Sequence, residues 1–450
     1  MRTGILLEEA QQILLAKVHS LQTSCVTLFE AVGRILSKDI QAATDLPPFN
    51  RSPLDGYALQ ARDTAEADTL SPVSLAVIEE VPAGYMPRQK VTAGTAIKIM
   101  TGAPIPEGAD VVIKYEDVEW EQNTVKLFHK LKAGSNIVLA GEDVAKGEII
   151  AKQGSRLTPP LVGVLAAQGF AYVPVVRKPK VAILSTGDEV IDPSEALHPG
   201  KIYNSNMHSL CASCIALGAD PLPMGIVPDN KQLIAEKISH ALGQADIVIT
   251  TGGVSVGDYD AVPDALKELS ADLLFWKIEM KPGSPVVAAV HNNKLIIGLS
   301  GNPAAALITF DLVVVPLIKK MMGQDRHLPL TVPVVLANGF YKSSPQRRFL
   351  RAQLYRKNRT VYAKLIGEQG NGALKSMIDC NALIDVNAGS GPMTAGEHGV
   401  ALILDSSAEI LSEEAIIKAQ HQNVHLTTKY PTYGYCTRFL YEADSNVYSE

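Results

Sequence analysis

At 450 residues the chain is longer than one hydrophobic core usually organises, so about two to four domains are expected. Hydrophobic residues make up 46% of it and charged residues 20%, which excludes a disordered chain. A formal net charge of −6 excludes general nucleic-acid binding, which needs a clustered basic surface.

The opening residues, MRTGILLEEAQQ, lack the unbroken apolar stretch of a signal peptide. Leu7, Ala10, Leu14 and Val18 recur at helical spacing and predict a helix, continued by Leu28, Val32 and Ile35. The pattern breaks at 45–57, DLPPFNRSPLDGY, where prolines and a glycine make a stiff loop that presents side chains. Short β-type runs at 73–78, 96–100, 111–115 and 124–128, punctuated by Gly and Pro, predict a small β domain. A helix start follows at Thr158, with prolines suited to the first turn and Gly169 as the stop.

From residue 179 strands and helices alternate. Strands are predicted at 181–184, 222–227, 247–250, 274–280 and 294–299, and helices at 206–217, 229–243, 260–269 and 303–322. Asp229 with Gln232 reads as a capping box. Such alternation implies a parallel sheet with helices on both faces, hence a multidomain α/β protein. The longest apolar run, 312–318, carries Pro316 and ends in Lys319 and Lys320, far short of the roughly 18–20 residues a bilayer span needs. Beyond Leu330 the chain turns β-rich again, at 332–336, 349–355, 361–365, 382–386 and 400–404, which predicts a barrel or sandwich. The tail 406–450 carries no motif. Five dispersed cysteines, an odd count, suit a reducing compartment, so the expected setting is the cytoplasm with no membrane contact.

In an open parallel sheet, ligands bind beyond the carboxyl ends of the strands. Three loops fall there: STGDE at 185–189, TTGGVSVGDYD at 250–260 and LSGNP at 299–303. Their glycines let backbone N–H groups close on an anion, and hydroxyls and helix N-termini stand beside them. One such loop is ordinarily just a tight turn; three at one sheet edge point to a phosphate-bearing ligand. Asp188, Glu189, Asp229, Asp258 and Asp260 reach the same edge, where a divalent cation, Mg²⁺ by preference for oxygen ligands, would relieve their repulsion from phosphate. For Asp229 helix capping is a sufficient explanation on its own. Lys277 and Lys281, four apart on a predicted strand and so on one face, suit an oxyanion or a solvated edge.

These segments carry a family resemblance. NRSPLDGYA at 50–58, MTGAPIPEGAD at 100–110, GEDV at 141–144, STGDE at 185–189, TGGVSVGDYD at 251–260, KPG at 281–283 and SGNPA at 300–304 occur in that order. Together they resemble molybdopterin molybdenumtransferases, the MoeA family, to which the gephyrin E domain is related. The resemblance implies an elongated homodimer of four-domain subunits. Residues 1–50 and 138–176 would form a segmented helical domain, 51–137 an inserted β domain, 177–325 the molybdopterin-binding α/β domain and 326–405 a C-terminal β-barrel. It also implies Mg²⁺-dependent insertion of molybdate into adenylylated molybdopterin with release of AMP, at a site where the Asp55 loop faces the partner's α/β domain. Contacts with the adenylyltransferase and with apo-molybdoenzymes would follow.

Carried over by position, the resemblance makes Asp55, Thr101, Asp143, Glu189 and Asp229 catalytic. It makes Thr186, Gly187, Gly252, Gly253, Ser255, Lys277, Lys281, Ser300, Gly301, Asn302 and Arg351 binding residues for the pterin substrate and molybdate, with Ser376 near a further polar position. Glu189, Asp258 and Asp260 become metal ligands. Ser284, Ser300 and the stretch Ile137, Val138, Leu139 depart from the family pattern; each departure weakens the case for anion binding a little, and none removes a core acid. Two other functions share parts of this pattern. A molybdopterin adenylyltransferase resembles the α/β domain alone, and a gephyrin-like scaffold uses the fold without catalysis. His208, Cys211 and Cys214, at i, i+3 and i+6 of one helix, drift around its surface and read as packing residues, while Tyr57 and Tyr259 read as loop anchors.

Overall fold

A computed structural model describes residues 2–254 and 261–404 and the backbone of 411–412. The chain divides into two compact units, Thr23–Val176 and Met1–Gln22 with Arg177–Glu450.

The larger unit holds a seven-stranded sheet. Its strands are β1 (Arg2–Ile5), β2 (Lys180–Thr186), β3 (Asp220–Val227), β4 (Ile247–Thr251), β5 (Asp272–Ile278), β6 (Val287–His291) and β7 (Lys294–Leu299), in the spatial order β1-β5-β6-β7-β4-β2-β3. β3, β2, β4 and β7 run parallel, as do β1 and β5. β6 is the exception: it pairs antiparallel with both neighbours, so the sheet is mixed. This strand is absent from the sequence prediction, although its hairpin turn is written in Asn292 and Asn293, both at positive φ (50° and 59°) as a two-residue hairpin requires.

Period-two alternation places the two cores. Val181 and Ile183, Ile247 and Ile249, Leu295 and Ile297 face one side, together with α1 (Leu7–Leu15), α2 (Ser205–Leu217), α5 (Pro303–Thr309) and α6 (Val315–Met321). Ala182 and Leu184, Val248 and Ile296 face the other, under α3 (Lys231–Gln244) and α4 (Val262–Glu268). α1 buries Leu7, Ala10 and Leu14, so the predicted first helix exists but packs on this sheet, and its expected continuation at Leu28 is only the single turn Leu28–Ala31. The long helix expected over 303–322 is α5 and α6 joined through a π-helical turn, Phe310–Val314. That turn lies just ahead of Pro316, whose missing N–H an unbroken α-helix would have to accommodate.

The same unit ends in a five-stranded barrel: β8 (Thr331–Leu336), β9 (Arg348–Lys357), β10 (Thr360–Leu365), β11 (Ala382–Val386) and β12 (His398–Ile403). Pairing of β9 with β10 closes the ring β10-β8-β12-β11-β9. Arg347 fastens it, forking onto both Asp385 oxygens (2.8 and 2.7 Å) and reaching Glu8 at 2.6 Å.

The smaller unit carries a six-stranded sheet in the order Val111–Lys114, Gly56–Leu59, Thr95–Ile99, Val73–Val81, Thr124–Leu127, Val118–Glu121. Beside it lie the helix Pro159–Ala167 and the antiparallel pair Thr23–Thr27 with Tyr172–Val176. Thr158 stands at that helix's N-cap position, but its side chain makes no capping bond. No helix among the described residues is long and apolar enough to cross a membrane.

An ion pair ties the amino ends of β2 and β4. Arg177 forks onto Asp246 (2.7 and 2.6 Å), which also accepts the Lys180 N–H at 2.8 Å. Burial alone would raise the Asp246 pKa. The Arg177 and Lys180 hydrogen bonds and the charges of Arg177 and Lys294 outweigh it and hold the carboxyl below its ordinary value. Asp246→Ala should therefore destabilise the larger unit by about 2–3 kcal/mol at pH 7. A depressed carboxyl stabilises above its unfolded pKa and ceases to do so as pH falls through the folded one. Urea unfolding curves of the two proteins should accordingly converge below about pH 4; a pH-independent gap would show that the pair acts by packing alone.

Candidate functional site

At the opposite, carboxyl end, β2, β4 and β7 finish on Thr186, Thr251 and Leu299, and three glycine loops meet. The Gly252 N–H donates to Leu299 O at 3.1 Å, and the Gly187 N–H to Val227 O at 3.3 Å. Gly252 (φ +98°), Gly253 (φ +61°) and Gly187 (φ +140°) lie where side chains are strained. A Cβ on Gly252 would stand 2.5 Å from Thr186 O, and one on Gly301 only 3.4 Å from the Gly252 Cα. The loops approach backbone to backbone, as a phosphate cradle requires. Thr186 Oγ1 is buried between them and makes no hydrogen bond among the described residues. Ser300 Oγ accepts the Asn302 N–H at 3.2 Å, and Asn302 heads α5. Ser255, Asp258 and Asp260 lie outside the described residues.

Of the acids, Asp188 and Glu189 are exposed on the loop after β2, with the Glu189 carboxylate against Gly187, where a Cβ would sit 2.5 Å from Oε2. The Asp229 N–H reaches Asp188 Oδ1 at 3.3 Å. The expected capping by Asp229 is not observed. Asn230 occupies the N-cap of α3 and accepts the Gln232 and Leu233 N–H groups at 3.0 and 3.1 Å. Its side chain is one residue nearer the first turn, which is what an N-cap bond to N2 and N3 demands. Among the described residues no three acids, histidines or cysteines come together as a metal site. The carboxylates present are hard oxygen donors, the kind Mg²⁺ takes.

The two lysines do not share a strand face. β5 ends at Ile278, and Lys277 already has φ +68°, which breaks the alternation; its ammonium lies over the Trp276 ring, 4.7 Å from the centroid. Trp276 Nε1 donates to Val254 O at 3.1 Å, anchoring the glycine loop just past Gly253. Lys281 is exposed, and its backbone pairs with the barrel through Arg347 O (2.9 Å) and the Phe349 N–H (2.8 Å). Ser284 is tied through its carbonyl to the Ile278 N–H.

Arg351 is fully buried. Burial lowers its pKa, and Nη2 donates to Glu368 O (2.8 Å) and Gly370 O (3.1 Å). The loop it holds continues to Asn371, whose carbonyl accepts the Ala305 N–H at 3.2 Å in the first turn of α5. Arg351 thus supports the loop over the Ser300–Asn302 turn. Ser376, also buried, donates to Ala373 O.

In the smaller unit, Asp55 Oδ1 accepts the Thr101 N–H at 2.7 Å and the Thr101 hydroxyl at 2.8 Å. These bonds hold the exposed Asp55 carboxyl below the usual range. The two motifs are knit together: Ser52 N–H to Ala103 O, Gly102 N–H to Ser52 O, Ile105 N–H to Asn50 O. Gly56 admits no side chain, since a Cβ would meet Ile113 O at 1.9 Å. The third motif joins through the Asp143 N–H to Leu46 O (3.0 Å), and Asn50 Oδ1 accepts the Ala140 N–H at 2.8 Å. The backbone of Arg51 bonds Val138 in both directions, which is where the apolar stretch Ile137–Leu139 is placed. Asp143 is exposed. Tyr57 is buried and stacks on Tyr115, an anchor as expected; Tyr259 lies outside the described residues.

Cys214 is buried in the core and Cys211 half-buried, and burial pushes their thiols up to about 12 and about 11, so they are packing residues. His208 Nδ1 pairs with Asn204 O at 2.8 Å. Sequence reasoning missed Asn206, whose amide bridges two of the glycine loops; the doubled asparagine of Asn204-Ser205-Asn206 at a helix start was the available signal.

Three family models match the chain in order: the MoeA N-terminal region (domain I and II) over 5–169, a probable molybdopterin binding domain over 182–320, and the MoeA C-terminal region (domain IV) over 333–400. The chain is 38% identical over 407 residues to the molybdopterin molybdenumtransferase of Bacillus subtilis (strain 168), covering 90% of this chain and 95% of that protein. It is 34% identical over 418 residues to that of Staphylococcus epidermidis, covering 92% and 99%. A crystal structure of the molybdopterin biosynthesis MoeA protein from Pyrococcus horikosii superposes with a TM-score of 0.80 at 32% identity, over 90% of this chain and 100% of the other.

Proposed function

This chain belongs to the MoeA family, and on that premise we propose that it is a molybdopterin molybdenumtransferase of molybdenum cofactor biosynthesis. Its substrates are adenylylated molybdopterin and molybdate; AMP leaves and the metal remains on the pterin dithiolene. It acts as a homodimer in the cytoplasm, and the four cysteines among the described residues, all free thiols, accord with that setting.

The observation that carries the reading is the closure of the three glycine loops at the ends of β2, β4 and β7, with the Gly252 and Gly301 backbones nearly in contact. Backbone N–H groups and the Ser300 and Thr186 hydroxyls would hold the phosphate-bearing end of the substrate. Lys277 and Lys281 would attract the molybdate dianion. From the opposite subunit of the dimer, Asp55 would orient the substrate, with Thr101 and Asp143 as further catalytic residues; Thr101 holds the Asp55 carboxyl below its ordinary pKa. Glu189, with Asp258 and Asp260 outside the described residues, would hold Mg²⁺, and Asp229 would act beside them as a catalytic acid. When bound, that ion supplies neutralisation of phosphate charge as AMP departs.

The deciding measurement is AMP release from adenylylated molybdopterin, with and without molybdate and Mg²⁺. Release that requires both is the expected result. Adenylylation of molybdopterin from ATP instead would make the chain an adenylyltransferase, and peptide binding without either reaction would make it a scaffold.

A further inference from the structure

Asn206 is 9% exposed, in the first turn of α2, and belongs to none of the glycine loops. Its Nδ2 nevertheless donates to two of them, to Thr251 Oγ1 at 2.7 Å and to Gly301 O at 2.8 Å. Thr251 Oγ1 in turn donates to Ser300 O at 3.1 Å. The amide orientation follows from these partners. The Thr251 hydroxyl hydrogen is engaged by Ser300 O, so the oxygen accepts, and Gly301 O is an acceptor only. A flipped amide would set oxygen against oxygen at both contacts.

The mount behind Asn206 is fixed to the third loop. Asn204 caps α2 by accepting the Met207 N–H at 3.2 Å and also accepts the Ser185 hydroxyl of β2 at 2.9 Å. One short helical turn therefore links β2 to the loops that follow β4 and β7. Asn206 Oδ1 is buried with no hydrogen-bond partner among the described residues.

We infer that Asn206 is a positioning residue, holding Gly252–Gly253 and Ser300–Gly301 at one separation and thereby setting affinity for the phosphate-bearing end of the substrate. The inference rests on the transferase reading above. It makes Asn206 act on binding, because the groups it touches are loop hydroxyl and carbonyl and not the acids or lysines assigned to the reaction.

The test uses the full chain with Asn206→Ala, the isosteric Asn206→Asp, Thr251→Val, Thr251→Ser and the double variant Asn206→Ala/Thr251→Val. For both Asn206 variants and Thr251→Val, KM for adenylylated molybdopterin should rise about tenfold while kcat stays within about threefold. Thr251→Ser, which keeps the hydroxyl, should stay near wild type. The double variant should be no worse than the poorer single one, since both cut the same link. Hydrogen exchange should accelerate in peptides covering 247–254 and 299–303 and not across the rest of the sheet. Unchanged KM and local exchange with only a lower melting temperature would reduce Asn206 to a packing residue, and multiplicative effects in the double variant would break the link to Thr251. Absence of AMP release by wild type would overturn the transferase reading alone, and the exchange pattern would still decide whether the staple exists.

Discussion

An Asp55→Ala protein is expected to lose molybdate-dependent AMP release by at least about a hundredfold. Its thermal midpoint should stay within about 2 °C of wild type. The argument starts from what the carboxylate does in the free protein. It is exposed, and both its hydrogen bonds fall on Oδ1, from the Thr101 N–H and hydroxyl. The loop has other fastenings: Ser52 to Ala103, Gly102 to Ser52, Ile105 to Asn50. Losing one exposed acceptor therefore leaves the turn standing, and what disappears is a negative charge fixed in place. Thr101 lowers the Asp55 pKa from the ordinary carboxylate value of about 4, so the loss in Asp55→Ala should be of similar size at pH 6 and pH 8. Asp55→Asn keeps the shape and removes the charge; it should fall with Ala if charge matters and recover if only geometry does. Turnover at the wild-type rate in Asp55→Ala would remove Asp55 from the reaction altogether.

The sequence was most legible where periodicity and punctuation agree. Val181 and Ile183 against Ala182 and Leu184, followed by a glycine loop and a capped helix, announce β2 and the edge where a ligand belongs, and that edge is where the glycine loops meet. β6 escapes a reading by strand–helix alternation because an antiparallel strand inserted by a hairpin breaks that rhythm; the Asn292-Asn293 turn is its signal in the sequence. The cap of α3 moved from Asp229 to Asn230 because both residue types cap well and only geometry chooses between neighbours. Lys277 and Lys281 share a face only if the strand continues, and a single residue at φ +68° ends it. Arg351 shows the remaining gap: its position matches a basic residue of the family, but its depth inside the barrel and its bonds to backbone carbonyls are properties of tertiary packing. The order of the seven motifs carried the family, while the bridging amide of Asn206 needed coordinates.

Gly252→Ala should be as damaging to activity as Asp55→Ala, for a different reason and with a different signature. At φ +98° an L side chain is strained, and the added Cβ would stand 2.5 Å from Thr186 O and 2.9 Å from Thr186 Oγ1. The carbonyl belongs to the last residue of β2, which pairs with Val227 of β3 and is followed by the Gly187 N–H bond to Val227 O, so it has little freedom to retreat. The loop must move instead, and it cannot move toward β7, because Gly301 already lies against the Gly252 backbone. Strain and displacement together should cost about 3 kcal/mol or more, lowering the thermal midpoint while AMP release falls at least about a hundredfold. Gly243→Ala is the matched control in the same unit. It lies in α3 with nothing within 4 Å of the new Cβ, so helix propensity alone should make it neutral or stabilising by about 0.5–1 kcal/mol, with full activity. If Gly252→Ala binds substrate and releases AMP as wild type does, the close approach of these loops is a folding device only, and the phosphate must be held elsewhere on the sheet edge.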